Sequence, residues 1–159
     1  MINAHAPTAE PVKRAVRSGV DVIYQTDYAD EEALDLLEEV NDRLFLGPAI
    51  GFTYGAAHEA EAWGMTREVV EEKGLLERIE SARRVYDEAR KRGIRAVIGG
   101  DYGFPWTPQG RQARDIEHFV ELFGYPPSYA LQCATRFGAE LMGRGDEVAS
   151  CDRDLWPIC

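Results

Sequence analysis

Hydrophobic and polar positions alternate in blocks along this chain. Short apolar runs give way to stretches with helical spacing, and a further short run follows. The runs VDVIY at 20–24, LFLGPAI at 44–50 and IRAVI at 94–98 read as strands, and 1–4 reads as the end of an earlier one. Val12, Ala15 and Val16 fall at i, i+3, i+4 and predict a helix capped by Thr8, with Pro11 in its first turn and Gly19 beyond its end. Asp30 opens a helix to about Val40, with Ala33, Leu34 and Leu37 inward. Thr66 opens a long helical region up to Arg92, divided at Gly74 and stopped by Gly93. Its apolar stripe is Leu76, Ile79, Ala82, Tyr86 and Ala89. The stretch GFTYGAAHEAEAWGMT at 51–66 fits no period and is expected as a long functional loop. Two helices follow the last strand. Ile116, Phe119, Val120 and Phe123 mark one, ended by Gly124; Ser128 caps the other, with Ala130, Ala134, Phe137 and Leu141 inward. This order predicts an α/β fold whose parallel strands are joined by crossover helices.

Composition narrows the function. A length of 159 residues suits one domain, and 45% hydrophobic with 29% charged residues is a globular mixture. The net charge of -10 argues against nucleic acid or an anionic membrane as partner, since both demand clustered Lys and Arg. There is no apolar run of transmembrane length and no signal-peptide pattern at the N-terminus. Three cysteines without a CxxC pair make neither a zinc knuckle nor a disulfide framework, and a reducing, cytoplasmic setting fits them.

In parallel α/β folds, ligands bind at the carboxyl ends of strands. Here those ends carry His5, Gln25, Ile50-Gly51 and Asp101. A histidine, an amide and an aspartate on neighbouring strand ends would converge on one point. Imidazole nitrogen and carboxylate oxygen suit a divalent metal such as zinc, and Asp101 would serve as a general base. Each residue also has a plainer reading. Asp101 can bond its own turn, His5 and His58 can be surface histidines, and His118 beside Glu117 can be a solvated or half-buried side chain. Glu68, Glu71, Glu72 and Glu77 read as a solvated helix face.

Four stretches taken together sharpen this: AHAPT at 4–8, SGVDVIYQT at 18–26, IGGDYG at 98–103 and PPSYALQCATRFGAELMG at 126–143. Over roughly 1–145 they resemble the metal-dependent amidohydrolase superfamily, in particular its imidazolonepropionase-like branch. The 126–143 match is the most specific. The resemblance implies a (β/α)8 TIM-type barrel, of which this chain would hold the C-terminal half, about strands five to eight with their helices. It places His5 on strand five. On strand eight it places Asp101, as metal ligand and catalytic proton shuttle. Gln25 stands where the sixth strand's histidine is expected, and its amide oxygen is a weak ligand. Tyr102, Phe104, Trp106 and His58 would line the substrate pocket. The HxH strand and the strand-four ligand of the family lie outside this chain.

The implied activity is metal-dependent hydrolysis of a C–N bond in a small molecule: an amide, cyclic amide, urea or carbamate. The alternative is a truncated, non-catalytic fragment or one piece of a larger assembly. The pattern is lost after EVAS, so 146–159 is expected to be an irregular tail, and a frameshift near 148–150 is expected to explain it. A half-barrel would also leave two open sheet edges and a bare inner face, which points to a homo-oligomer.

Overall fold

The computed structural model describes residues 1–148. The expected tail at 146–159 therefore lies, from 149 onward, outside the described residues.

Three short strands form one parallel sheet in chain order: β1 (Asn3–His5), β2 (Val22–Tyr24) and β3 (Phe45–Gly47). Asn3 sits opposite Val22, and Val22 opposite Phe45. The 94–98 run lies beyond β3. The Leu46 N–H donates to the Arg95 carbonyl at 2.9 Å, and the Val97 N–H donates to the Leu46 carbonyl at 2.8 Å, around a single parallel bridge between Leu46 and Ala96. All four expected strands are thus neighbours in sequence order, though each is shorter than its apolar run.

Parallel neighbours need crossovers, and helices supply them. Helix α1 (Ala9–Arg17) returns β1 to β2, and α2 (Glu31–Glu39) returns β2 to β3. In α1, Val12, Ala15 and Val16 are buried as their spacing predicts. Thr8 is the N-cap residue, but its side chain makes no capping bond. Asp30 does cap α2: its carboxylate accepts from the Ala33 N–H at 2.8 Å.

The largest departure lies at 51–66. The expected loop is α3 (Ile50–His58) followed by a 3-10 turn at Glu61–Trp63. Gly51 and Gly55 weaken the helical signal, since glycine disfavours a helix interior by roughly 1 kcal/mol. Packing explains them. A Cβ on Gly51 would stand 2.7 Å from Asp115 and 2.8 Å from the Tyr102 hydroxyl, and one on Gly55 would stand 3.0 Å from Thr107.

The long helical region is α4 (Arg67–Glu72) and α5 (Leu75–Lys91), parted at Gly74 as expected, where φ is 60°. Its stripe shifts by one residue: Leu75 is buried and Leu76 is 49% exposed. Helix α6 (Arg114–Glu121) buries Phe119 and also His118, against the expectation of a solvated or half-buried histidine. The last helical stretch is two helices, α7 (Pro127–Ala134) and α8 (Arg136–Leu141). Pro127, not Ser128, opens α7, where a missing N–H costs nothing. Cys133 rather than Ala134 faces inward, and α7 breaks where the Thr135 hydroxyl bonds back to the Leu131 carbonyl at 2.8 Å.

One hydrophobic cluster joins sheet and helices, including Val12, Ile23, Leu37, Leu46, Tyr86 and Phe119. Successive residues of a strand face opposite sides, yet Val22 and Ile23, and Phe45 and Leu46, are all buried. The bare inner face expected of a half-barrel is therefore absent along β2 and β3. No helix among the described residues is long and apolar enough to cross a membrane.

Candidate functional site at the strand ends

The chain leaves three of its strands through non-glycine residues with positive φ: Gln25 at 60°, Ala49 at 48° and Asp101 at 55°. This conformation costs an L-residue roughly 1–2 kcal/mol. Such strain collects at functional edges. Here it marks the carboxyl ends of β2, β3 and the 94–98 strand.

His5 and Gln25 meet there. His5 Nε2 lies 2.8 Å from Gln25 Oε1. The same oxygen accepts from Arg78 Nη2, on α5. Guanidinium only donates, so the atom facing it is the amide oxygen, and His5 must donate to it as well. Nε2 thus carries a proton, and in the neutral ring the free lone pair is that of Nδ1. Arg78 is held from its other side by Asp27, whose carboxylate accepts from Nε at 2.6 Å. Asp27 is 2% exposed, and burial pushes its carboxyl up despite the pull of Arg78. Sequence reading missed both Asp27 and Arg78. Arg78 stands 53 residues from Gln25 on a helix whose local pattern is that of a polar face.

Asp101 lies on the same edge of the sheet, exposed, and its carboxylate has no hydrogen-bond partner among the described residues. Tyr102 turns inward, and its hydroxyl donates to Asp115 Oδ1 at 3.0 Å. Burial pushes the Asp115 carboxyl up to about 6 and the Tyr102 phenol well above its usual range. Phe104 and Trp106 stack, with centroids 5.3 Å apart, and Phe52 of α3 packs on both, at 4.8 Å from Phe104 and 5.9 Å from Trp106. Phe52 was the missing third member of this aromatic wall. His58 packs at a tilt against Tyr54, with ring centroids 4.5 Å apart, and lines a surface recess of about 510 Å³ with Met65, Val70 and Leu76.

Metal-binding capacity follows from these contacts. His5 and Asp101 are donors of the right kind for a divalent ion. Gln25 is not free to join them, because two N–H donors already fill its oxygen. Among the described residues no group of three or more His, Cys, Asp or Glu side chains is placed to hold a metal. The donors suit a metal in kind and fall short in number.

Neither a protein-family model nor a curated protein matches the chain. Solved structures do. A Xaa-Pro dipeptidase with methionine bound in its active site is 27% identical, with a TM-score of 0.79 over 98% of this chain and 37% of its own. A prolidase complexed with N-methylphosphonate-L-proline is 24% identical, with a TM-score of 0.80 over 96% of this chain and 36% of its own. The ochratoxinase of A. niger is 23% identical, with a TM-score of 0.64 over 85% of this chain and 28% of its own. The chain thus spans little more than a third of the longest-matched of these proteins. Its neighbours are of the prolidase and amidohydrolase type, and its small parallel sheet corresponds to part of their barrel. They support the superfamily resemblance and do not single out its imidazolonepropionase-like branch.

Proposed function

We propose that this chain contributes strands five to eight of a metal-dependent hydrolase of C–N bonds. The observation that carries the reading is the overlay of 98% of the chain on a Xaa-Pro dipeptidase at 27% identity. Amides of the peptide type therefore stand first among the substrate classes, before cyclic amides, ureas and carbamates. His5 and Asp101 would hold the metal, zinc by the nature of its donors, together with ligands from outside this chain. When bound, the metal would supply an activated water. Asp101, exposed at the edge, would carry a proton toward the leaving nitrogen. Phe52, Phe104 and Trp106 would offer an apolar wall to the substrate. A reducing cytoplasmic setting is in keeping with Cys133, which is buried as a free thiol.

The test begins with the flanking DNA, read in all frames, followed by expression of whatever reading frame contains this chain. The product should bind zinc and hydrolyse at least one member of a panel of Xaa-Pro dipeptides, N-acyl amino acids and ureas. Asp101→Asn should lower turnover by about 10²- to 10⁴-fold. A product with neither metal nor hydrolysis overturns the reading.

Gln25 favours a second reading, in which the chain is a non-catalytic piece. With its oxygen committed to Arg78 and His5, the edge is organised by hydrogen bonds that need no metal. On that reading, zinc added to the product of the full reading frame leaves the ring signals of His5 unmoved in NMR spectra.

A further inference from the structure

Asp101 is tied down on both sides of its backbone and left free at its side chain. Before it, the Gly100 carbonyl accepts from the Phe52 N–H at 3.0 Å, fastening this exit to α3. After it, the Tyr102 carbonyl accepts from Gln109 Nε2 at 3.1 Å, and the Gly103 N–H donates to the Thr107 carbonyl at 2.8 Å. The Tyr102 ring fills a notch that only glycines can make. A Cβ on Gly100 would lie 1.9 Å from Tyr102 Cε2, and one on Gly51 would lie 2.8 Å from its hydroxyl. The floor of the notch is Asp115, 1% exposed, in the first turn of α6. Its Oδ1 takes the Tyr102 hydroxyl, while Oδ2 has no hydrogen-bond partner among the described residues. A buried carboxylate with a single side-chain partner is expensive to keep, so that one bond invites an explanation.

We propose that Tyr102 and Asp115 form a positioning pair: the hydroxyl–carboxylate bond, seated on Gly51 and Gly100, holds Asp101 in its left-handed backbone conformation and so presents the Asp101 carboxylate at the strand-end edge. The φ of 55° at Asp101 is uncommon for a residue with a side chain, though aspartate adopts it more readily than most. Contacts on both sides of the residue add to what fixes it there. The pair acts through Asp101 and touches no substrate itself. What it serves rests on the reading of Asp101 as a metal ligand; the pairing itself does not.

The experiment measures amide hydrogen exchange and zinc affinity on the whole chain for wild type, Tyr102→Phe, Asp115→Ala and Asp115→Asn. Tyr102→Phe keeps the ring in its notch and removes only the hydroxyl. It should speed exchange of the Phe52 and Gly103 amides, the two whose bonds tie this exit down, at least tenfold while leaving the rest of α3, and α6, as protected as in wild type. Asp115→Asn keeps an acceptor for the hydroxyl and should restore slow exchange, whereas Asp115→Ala should not. A pair that served packing alone would leave Tyr102→Phe within twofold of wild type at these two amides, and that result overturns the proposal. Exchange that quickens equally across α6 overturns it too. Should Asp115→Ala fail to fold, Tyr102→Phe against Asp115→Asn decides alone. Zinc affinity separates the two readings. If wild type binds zinc, Tyr102→Phe should bind it about tenfold more weakly, and unchanged affinity would refute the positioning role. If wild type takes up no zinc but exchange still quickens only at these two amides, the pair stands on its own, and the longer reading frame tests the metal reading.

Discussion

Asp115 and His118 lie one helical turn apart on α6 and respond to acid in opposite directions. Burial holds the Asp115 carboxyl up at about 6, from an ordinary 3.8. Burial, helped by the positive charge of Arg114, holds the His118 imidazole down at about 4, from an ordinary 6.5. For Asp115 the unfolded chain gives up its proton first, so stability falls as pH rises from about 4 to 6. For His118 the unfolded chain takes its proton first, so stability falls as pH drops from about 6.5 to 4. Each shift corresponds to at most about 3 kcal/mol, at 1.36 kcal/mol per unit. The two nearly cancel across this window, and single substitutions should uncover them. Asp115→Asn should be about 1–2 kcal/mol more stable than wild type at pH 7.5, and it should lose that advantage on acidification. His118→Asn should instead gain stability relative to wild type as pH drops through the same window. Urea unfolding at intervals of pH checks both, and parallel profiles for the two variants would refute the opposition. None of this is visible in sequence: both residues stand in an amphipathic helix, and only the depth of packing around α3 decides their charge.

At the scale of elements, what the sequence makes legible is what local chemistry determines. Helix α2 is an example. Asp30 caps it through Ala33 and also accepts from the buried Lys13 of α1 at 3.0 Å, while Glu32 accepts from the same lysine at 2.6 Å. Asp30→Ala removes the cap and one partner of Lys13 together, and should cost about 1–2 kcal/mol in thermal or urea unfolding. Asp30→Asn keeps the cap and should cost less than half as much. Equal losses would mean that the ion pair, not the cap, carries the effect. Helix α3 shows the opposite case. Its glycines look like loop residues until Tyr102, Asp115 and Thr107, which are more than 45 residues away, are brought against them. The strand-end site divides in the same manner. His5, Gln25 and Asp101 could be placed from strand order alone. Arg78, Asp27 and Phe52 could not, because their part in the edge comes from helices folded across it.

The whole molecule presents two sheet edges that are not alike. Beyond the 94–98 strand, the Ile98 N–H donates to the Cys133 carbonyl at 3.3 Å, so α7 shields that side. At β1, the Ile2 carbonyl and the Ala6 N–H bond to β2. Bonding residues alternate along a parallel ladder, so Asn3 and His5 turn their backbone groups outward. Both are exposed, and Ile2 beside them is 61% exposed. An unpaired strand edge with apolar neighbours recruits another strand. A closed barrel would supply one from its own chain, and the neighbouring structures are nearly three times as long as this chain. Alone in solution, the chain should therefore associate with copies of itself through β1. The net charge of -10 works against this, so association should strengthen as salt screens the repulsion. Asn3→Pro removes one outward donor and tolerates the extended conformation of an edge strand. It should shift sedimentation toward the monomer while leaving the circular dichroism spectrum unchanged. A wild-type chain that stays monomeric at high concentration and high salt, or an Asn3→Pro chain that associates just as strongly, would show that β1 is not the surface that pairs.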